Sequence, residues 1–183
     1  MKSVLETNRL VLREMSPEDL DFVAAMLADS DVMRFYPKCY SREESAIWIE
    51  RQMKRYARHG HGLWLVLEKA TGQPVGQVGL LIQQIDGVQE KEMAYLIHRP
   101  FWRRGFAAEA GIACRDYALT FFARSRVFAL IRPENLPSRR VALKLGMTPE
   151  DRTIQHAGFT HLVFSVSAAE VSRTRPDASA RTG

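Results

Sequence analysis

The most specific chemistry in the chain lies between His98 and Leu119, in HRPFWRRGFAAEAGIACRDYAL. Arg103 and Arg104 precede Gly105, and Ala107 and Ala108 follow before a run of helix-forming residues. A strand that feeds a helix through RRGFAA leaves several backbone N–H groups with no intrahelical acceptor. They point one way, at the positive end of the helix dipole. A phosphate is the natural guest of such a turn. Gly105 lets the backbone approach an anion without an intervening Cβ, and the two alanines keep the first turn uncluttered. Other phosphate signatures fit worse. There is no G-x-x-x-x-G-K-[ST], and Gly76 and Gly79 fall inside a strand pattern, where they ease close backbone packing. His59 and His61 lack a third ligand at metal spacing, while His156 and His161 are scattered, so these histidines read as turn and surface residues and no metal is expected. Cys114 sits on an apolar helical stripe and reads as core.

The elements that must carry this turn follow from periodicity. NRLVLRE alternates as a strand. SPEDLDFVAAML opens a helix with Ser16 as N-cap, Pro17 in the first turn and Asp19 completing a capping-box pattern; its stripe is Leu20, Val23, Ala24 and Leu27. A second helix starts at Ser41 with Glu44 as partner, carries Ala46, Ile49, Met53, Tyr56 and Ala57 on one face, and stops at Gly60. Three strands, GLWLVLEK, PVGQVGLLIQQ and QEKEMAYLIH, are separated by turn signals and form a meander. The phosphate turn then opens a helix from about Gly105 to Phe122. RVFALI is a strand, NLPSRRVALKLG a short helix capped by Asn135 and stopped by Gly146, and FTHLVFSV a final strand. The order predicts an α+β (mixed α/β) domain around one mixed sheet. The domain spans residues 1–167, and the polar, aperiodic stretch 168–183 reads as a flexible C-terminal tail.

The bulk numbers are compatible with that reading. The chain has 183 residues, two cysteines and a formal charge of +5. It is long enough for one domain with a sizeable core. No run approaches the ~20 apolar residues of a transmembrane helix, and the N-terminus lacks the apolar stretch of a signal peptide. The unpaired cysteines suggest a cytoplasmic setting. The positive charge suits a basic surface or a polyanionic partner. Nucleic acid is disfavoured, because the arginines cluster at a helix start without interleaved stacking aromatics.

Four ordered segments together resemble the GNAT N-acetyltransferase superfamily, in its branch related to ribosomal-protein N-terminal acetyltransferases. They are ETNRLVLRE, DSDVMRFYP (Asp29 to Pro37), EMAYLIHRPFWRRGFAAEA (Glu92 to Ala110) and NLPSRRVALKLGM (Asn135 to Met147). The family's acyl-CoA motif, Gln/Arg-x-x-Gly-x-Gly/Ala, here reads Trp102-Arg103-Arg104-Gly105-Phe106-Ala107, with Trp in place of the first polar residue. The resemblance implies a mostly antiparallel sheet, splayed between its fourth and fifth strands and flanked by about four helices. It implies acetyl-CoA as co-substrate, its diphosphate held by backbone amides of Arg103, Arg104, Gly105, Phe106, Ala107 and Ala108. Leu96 and Ile97 would line the pantetheine arm in the splay, and Phe101 and Trp102 would pack the base of the loop. Arg99, Arg103, Arg104, Arg139 and Arg140 could all favour the anion, though Arg139 and Arg140 serve equally well as solvated helix charges.

Transfer to nitrogen requires a neutral amine. At pH 7 roughly 15% of a free α-amine is neutral but only about 0.04% of a lysine, so a base is needed. The resemblance points to Glu92, with Glu90 the nearest competitor. A backbone N–H near Leu96 would serve as oxyanion donor. The leaving thiolate needs a proton, and the chain has no Tyr beyond Tyr117 to give it. Asn135-x-x-Ser138 matches the branch, with Asn135 toward the pantetheine arm and Ser138 toward the thiolate. Tyr36, Tyr40, Trp48 and Trp64 are candidates for an acceptor wall. The expected activity is direct acetyl transfer to a primary amine: a protein N-terminus, a polyamine or a small metabolite. A non-catalytic acyl-CoA-binding regulatory module is the alternative. The resemblance allows a homodimer without requiring one.

Overall fold

The computed structural model describes residues 3–85, 87–121 and 126–174. Eight strands form one sheet in the order β1-β2-β3-β4-β5-β6-β8-β7. They are β1 (Ser3–Glu6), β2 (Leu10–Arg13), β3 (Leu63–Glu68), β4 (Pro74–Ile85), β5 (Val88–Ile97), β6 (Arg126–Ile131), β7 (Thr148–His156) and β8 (Phe159–Ser167). Every neighbouring pair is antiparallel except β5 and β6, which run parallel. The helices are α1 (Leu20–Ala28), α2 (Arg42–His59), α3 (Phe106–Phe121), α4 (Leu136–Lys144) and α5 (Ala168–Thr174). The expected mixed α/β architecture is present.

Alternation along the central strands divides the core between the two faces of the sheet. Met93, Tyr95 and Ile97 of β5 pack with Phe106, Ala110 and Cys114 of α3 and Ala142 of α4. Ala94 and Leu96 pack on the other face with Val23 and Leu27 of α1 and Ile49 of α2. Gly79 allows β4 to lie against the start of β3, since a Cβ there would fall 2.0 Å from the Gly62 carbonyl. The capping boxes at Ser16/Asp19 and Ser41/Glu44 both form. The first opens a 3-10 turn, Pro17–Asp19, that leads into α1.

Some expectations are corrected. The N-terminal segment makes two strands, because the four-residue β1 pairs back onto β2. The buried face of α2 is Ser45, Ile49, Gln52 and Tyr56, while Met53 is exposed. Polar groups take core positions there because backbone at the start of β3 needs partners. Gln52 Oε1 accepts from the Leu63 amide at 3.1 Å, and the Tyr56 hydroxyl donates to the Leu63 carbonyl. Phe121 is exposed at the end of α3. Residues 168–174 are helical, not an aperiodic tail: Val171 is buried in the core on the α3 face. The remainder of the expected tail, 175–183, lies outside the described residues.

Candidate active site

The segment between β5 and α3 bends through a short 3-10 turn, Arg99–Phe101, and then through two left-handed residues, Arg103 (φ 61°) and Gly105 (φ 83°). A non-glycine residue in that region is uncommon and is held by its surroundings. Alternating hands turn successive N–H groups the same way, which makes an anion-binding concavity. The amides of Arg103, Arg104, Gly105, Phe106, Ala107 and Ala108 donate to no group among the described residues. The next amide after these six, that of Glu109, bonds the Gly105 carbonyl. The turn is anchored from below. Glu109 accepts from the Thr7 hydroxyl at 2.6 Å, from the Arg9 amide at 2.9 Å and from Arg9 Nε at 2.7 Å. The Arg9 and Arg104 guanidiniums lie over the Phe106 ring, at 4.9 and 4.6 Å.

From this turn a gap runs into the sheet. β4 and β5 pair continuously from Gly76↔Ile97 to Ile85↔Val88, whereas β5 and β6 share the single register pair Glu92↔Phe128. Beyond that rung the facing edges of β5 and β6 diverge, as the expected splay requires. Leu96 and Ile97 lie in the diverging part, but their side chains pack on opposite faces. What both offer a ligand in the gap is therefore backbone, and the Ile97 carbonyl is already taken by the Trp102 indole at 2.6 Å.

Glu92 stands at the closed end of the gap. Its carboxylate is nearly buried and accepts from Gln83 Nε2 at 2.7 Å. Burial pushes it up to about 7, opposed by the Gln83 bond, the Leu130 amide of β6 and the charge of Arg55. A carboxyl group tuned to that range can take a proton near neutral pH. Tyr36, from the α1–α2 connection, lies within the field of this carboxylate, which together with burial raises its hydroxyl. Glu90 has a different environment: Arg126 of β6 holds it in an ion pair.

Asn135 caps α4 by accepting from the Ser138 amide at 3.1 Å. The Ser138 hydroxyl donates to Tyr95 Oη at 3.1 Å, and Tyr95 donates in turn to the Ser138 carbonyl at 2.8 Å. Burial pushes the Tyr95 phenol up to about 12, against the pull of the Ser138 bond. β5 thus presents Glu92 on one face and, three residues on, Tyr95 on the other. Reading the sequence for a tyrosine after the phosphate turn overlooked Tyr95, which lies before it. Its signal was the alternation of EMAYLI.

Other expected residues are distributed differently. The Arg104 guanidinium is committed to Glu68, so its available group is the amide. Arg99 pairs with Asp29 and Asp31 at 3.1 and 3.2 Å. Arg139 donates to the Pro133 carbonyl at 3.2 Å, and Arg103 and Arg140 are exposed. Phe101 packs against the core as expected, whereas Trp102 is largely exposed and acts through its indole bond. Trp64 is fully buried against Tyr117 on the α3 face and cannot wall an acceptor site; Tyr36, Tyr40 and Trp48 lie on the α1/α2 face. His61 is buried and bonds the Leu80 carbonyl and Lys91, contrary to its reading as a surface residue. No cluster of three metal-ligating side chains occurs among the described residues. No described helix is long and apolar enough to cross a membrane.

The architecture and the turn can be set beside known proteins. Residues 9–148 match the family model described as an acetyltransferase (GNAT) domain. The chain is 35% identical to YkkB of Bacillus subtilis over 147 residues, covering 80% of this chain and 86% of that protein. It is 28% identical to the N-acetyltransferase YoaA of the same organism, covering 82% and 85%. Among solved structures, RimL, a ribosomal L7/L12 alpha-N-protein acetyltransferase in complex with coenzyme A, superimposes with a TM-score of 0.75 over 91% of this chain and 98% of that one, at 15% identity. The chain belongs to the GNAT acetyltransferase family.

Proposed function

We propose that the protein transfers an acetyl group from acetyl-CoA to a primary amine, of a protein N-terminus or of a small molecule, by direct attack in a ternary complex. One observation carries the reading. The free amides at the start of α3 open onto the unpaired edge of β5, and that edge ends at a buried carboxylate. The relative solved with coenzyme A supports the choice of co-substrate.

The residues divide the work. Amides of Arg103 to Ala108 hold the diphosphate, with Gly105 keeping the approach open. Backbone at Leu96 and Ile97 lines the pantetheine arm, itself a chain with two amides. Asn135 holds the first turn of α4 against that arm. Glu92 accepts the amine proton as the nitrogen attacks, directly or through water. A backbone N–H near Leu96 stabilises the developing oxyanion. Ser138, with Tyr95 behind it, protonates or stabilises the departing thiolate, and Ser138 regains from solvent any proton it gives. The Ser138 hydroxyl proton points to Tyr95, so this step requires that rotor to turn toward the sulfur.

Thiol release from acetyl-CoA across a panel of amines tests the reading. Release with at least one amine, lost in Glu92→Gln while coenzyme A still binds, is expected. Tight coenzyme A binding without release on any amine would favour an acyl-CoA-sensing module instead.

A further inference from the structure

α2 presents one polar stripe beside its buried face. Trp48, Arg51 and Arg55 are spaced by three and four residues and so lie in line. The Trp48 indole donates to Gln77 of β4 at 3.0 Å, which seats this stripe over the sheet, and Gln77 is paired with Leu96. Seven residues on, about 10 Å along a helix, Arg55 lies within the field of Glu92. Glu92 is four residues from Leu96, about 13 Å along a strand. The stripe therefore runs alongside β5 from the mouth of the gap to its closed end, on the face that carries Glu92.

Arg55 is unusual among the arginines of this region. Arg99, Arg104 and Arg126 are each held by carboxylates. Arg55 is half-buried and makes no hydrogen bond or ion pair among the described residues, and Arg51, one turn away, also has none. Burial and the neighbouring Arg51 both act to lower Arg55, so the site disfavours the very charge it holds. A half-buried guanidinium retains unmet donors that an arriving anion can fill. Its donors form a planar fork that matches a carboxylate.

Resting on the proposed transfer reaction, we infer that Arg55, with Arg51 outside it, binds a carboxylate carried by the acceptor on the same molecule as its amine. The protein thus selects acidic amine acceptors: a free amino acid or an N-terminus followed by an acidic residue. The anion docks on α2 and leaves the amine beside Glu92.

Calorimetry with saturating coenzyme A present tests this without turnover. Two matched pairs serve as probes: β-alanine against β-alaninamide, and the peptide amide Ser-Asp-Ala-Ala against Ser-Asn-Ala-Ala. The acidic member of at least one pair is expected to bind about ten-fold more tightly, the worth of one charge-assisted hydrogen bond, and the pair that discriminates identifies the source. Arg55→Ala should bring that ratio near one, Arg55→Lys should keep part of it, and Arg51→Ala should reduce it less. Equal affinity within both pairs, including no binding of either member, overturns the inference. So does a ratio that survives Arg55→Ala, or an Arg55→Ala effect confined to the pH profile, which would make Arg55 only a neighbour charge for Glu92. Coenzyme A binding, recorded in the same cell before the acceptor is added, reports separately on the proposed function.

Discussion

A carboxyl group walled from water ionises late even where amides donate to it, as Gln83 does to Glu92 at 2.7 Å. Glu92 does so at about 7, because burial outweighs the Gln83 bond, the Leu130 amide and the Arg55 charge. If its carboxylate is the base, kcat at saturating amine should rise with pH through a limb near 7, while kcat/KM keeps climbing until the amine itself is neutral. Glu92→Gln should remove that limb and lower kcat by roughly 10²- to 10⁴-fold; a pH–rate series on both proteins checks it. The same group has a cost in stability with a definite sign. The unfolded chain ionises Glu92 near 4.5, whereas the folded chain keeps it protonated to about 7. The unfolded state binds fewer protons across that window, so stability falls as pH rises through it. Glu92→Gln escapes the loss. Denaturant titrations should find it little changed at pH 4 and more stable than the wild type at pH 8, by at most ~3 kcal/mol. A variant that is slower yet sturdier at alkaline pH is the signature. Glu90→Gln should show neither effect, since its carboxylate answers to Arg126.

Elements place these groups, and their anchors can be tested independently of the chemistry. Glu109 ties the first turn of α3 to Thr7 and Arg9 of the N-terminal hairpin. Glu109→Ala frees that turn, so the dissociation constant of coenzyme A should rise about ten-fold, the loss of one charged hydrogen bond's support. The maximal rate should change much less; titration calorimetry beside steady-state kinetics separates the two. Gly79→Ala attacks the sheet instead. Its new Cβ meets the backbone of Gly62 and Leu63 at 2.0 and 2.9 Å, and urea unfolding should show a loss of about 3 kcal/mol. The turn before α3, both capping boxes and the meander were legible in the sequence, because each is written in neighbouring residues. The helix at Ala168 was missed, although Ser167 and Glu170 form the S-x-x-E pattern, with the Ser167 amide bonded to Glu170 at 2.7 Å. A polar composition hid it. The polar core face of α2 was not legible, since Gln52 and Tyr56 answer to Leu63, an unmet partner in another element. Nor was the commitment of Glu90 to Arg126 of β6, or the lack of a hydrogen-bonding partner for Arg55 among the described residues. Each depends on residues far away in the chain.

At the scale of the molecule, the sheet is two ladders joined at one rung. β1 to β5 pair in chain order, β6, β8 and β7 form the second set, and Glu92↔Phe128 is the join. Among residues 94–97, 131 and 132, the amides that point into the gap should exchange with deuterium faster than those that point into the β4–β5 and β6–β8 ladders. Saturation with coenzyme A should slow the first group selectively; equal slowing everywhere would place the ligand elsewhere. A wall with one course left out is weakest until something is laid in it. A nucleotide thioester present at a hundred times its dissociation constant adds about 2.7 kcal/mol to the folded state. The metabolite that supplies the reaction thereby also sets how much heat the catalyst survives, and a preparation stripped of it should melt measurably earlier than one kept supplied.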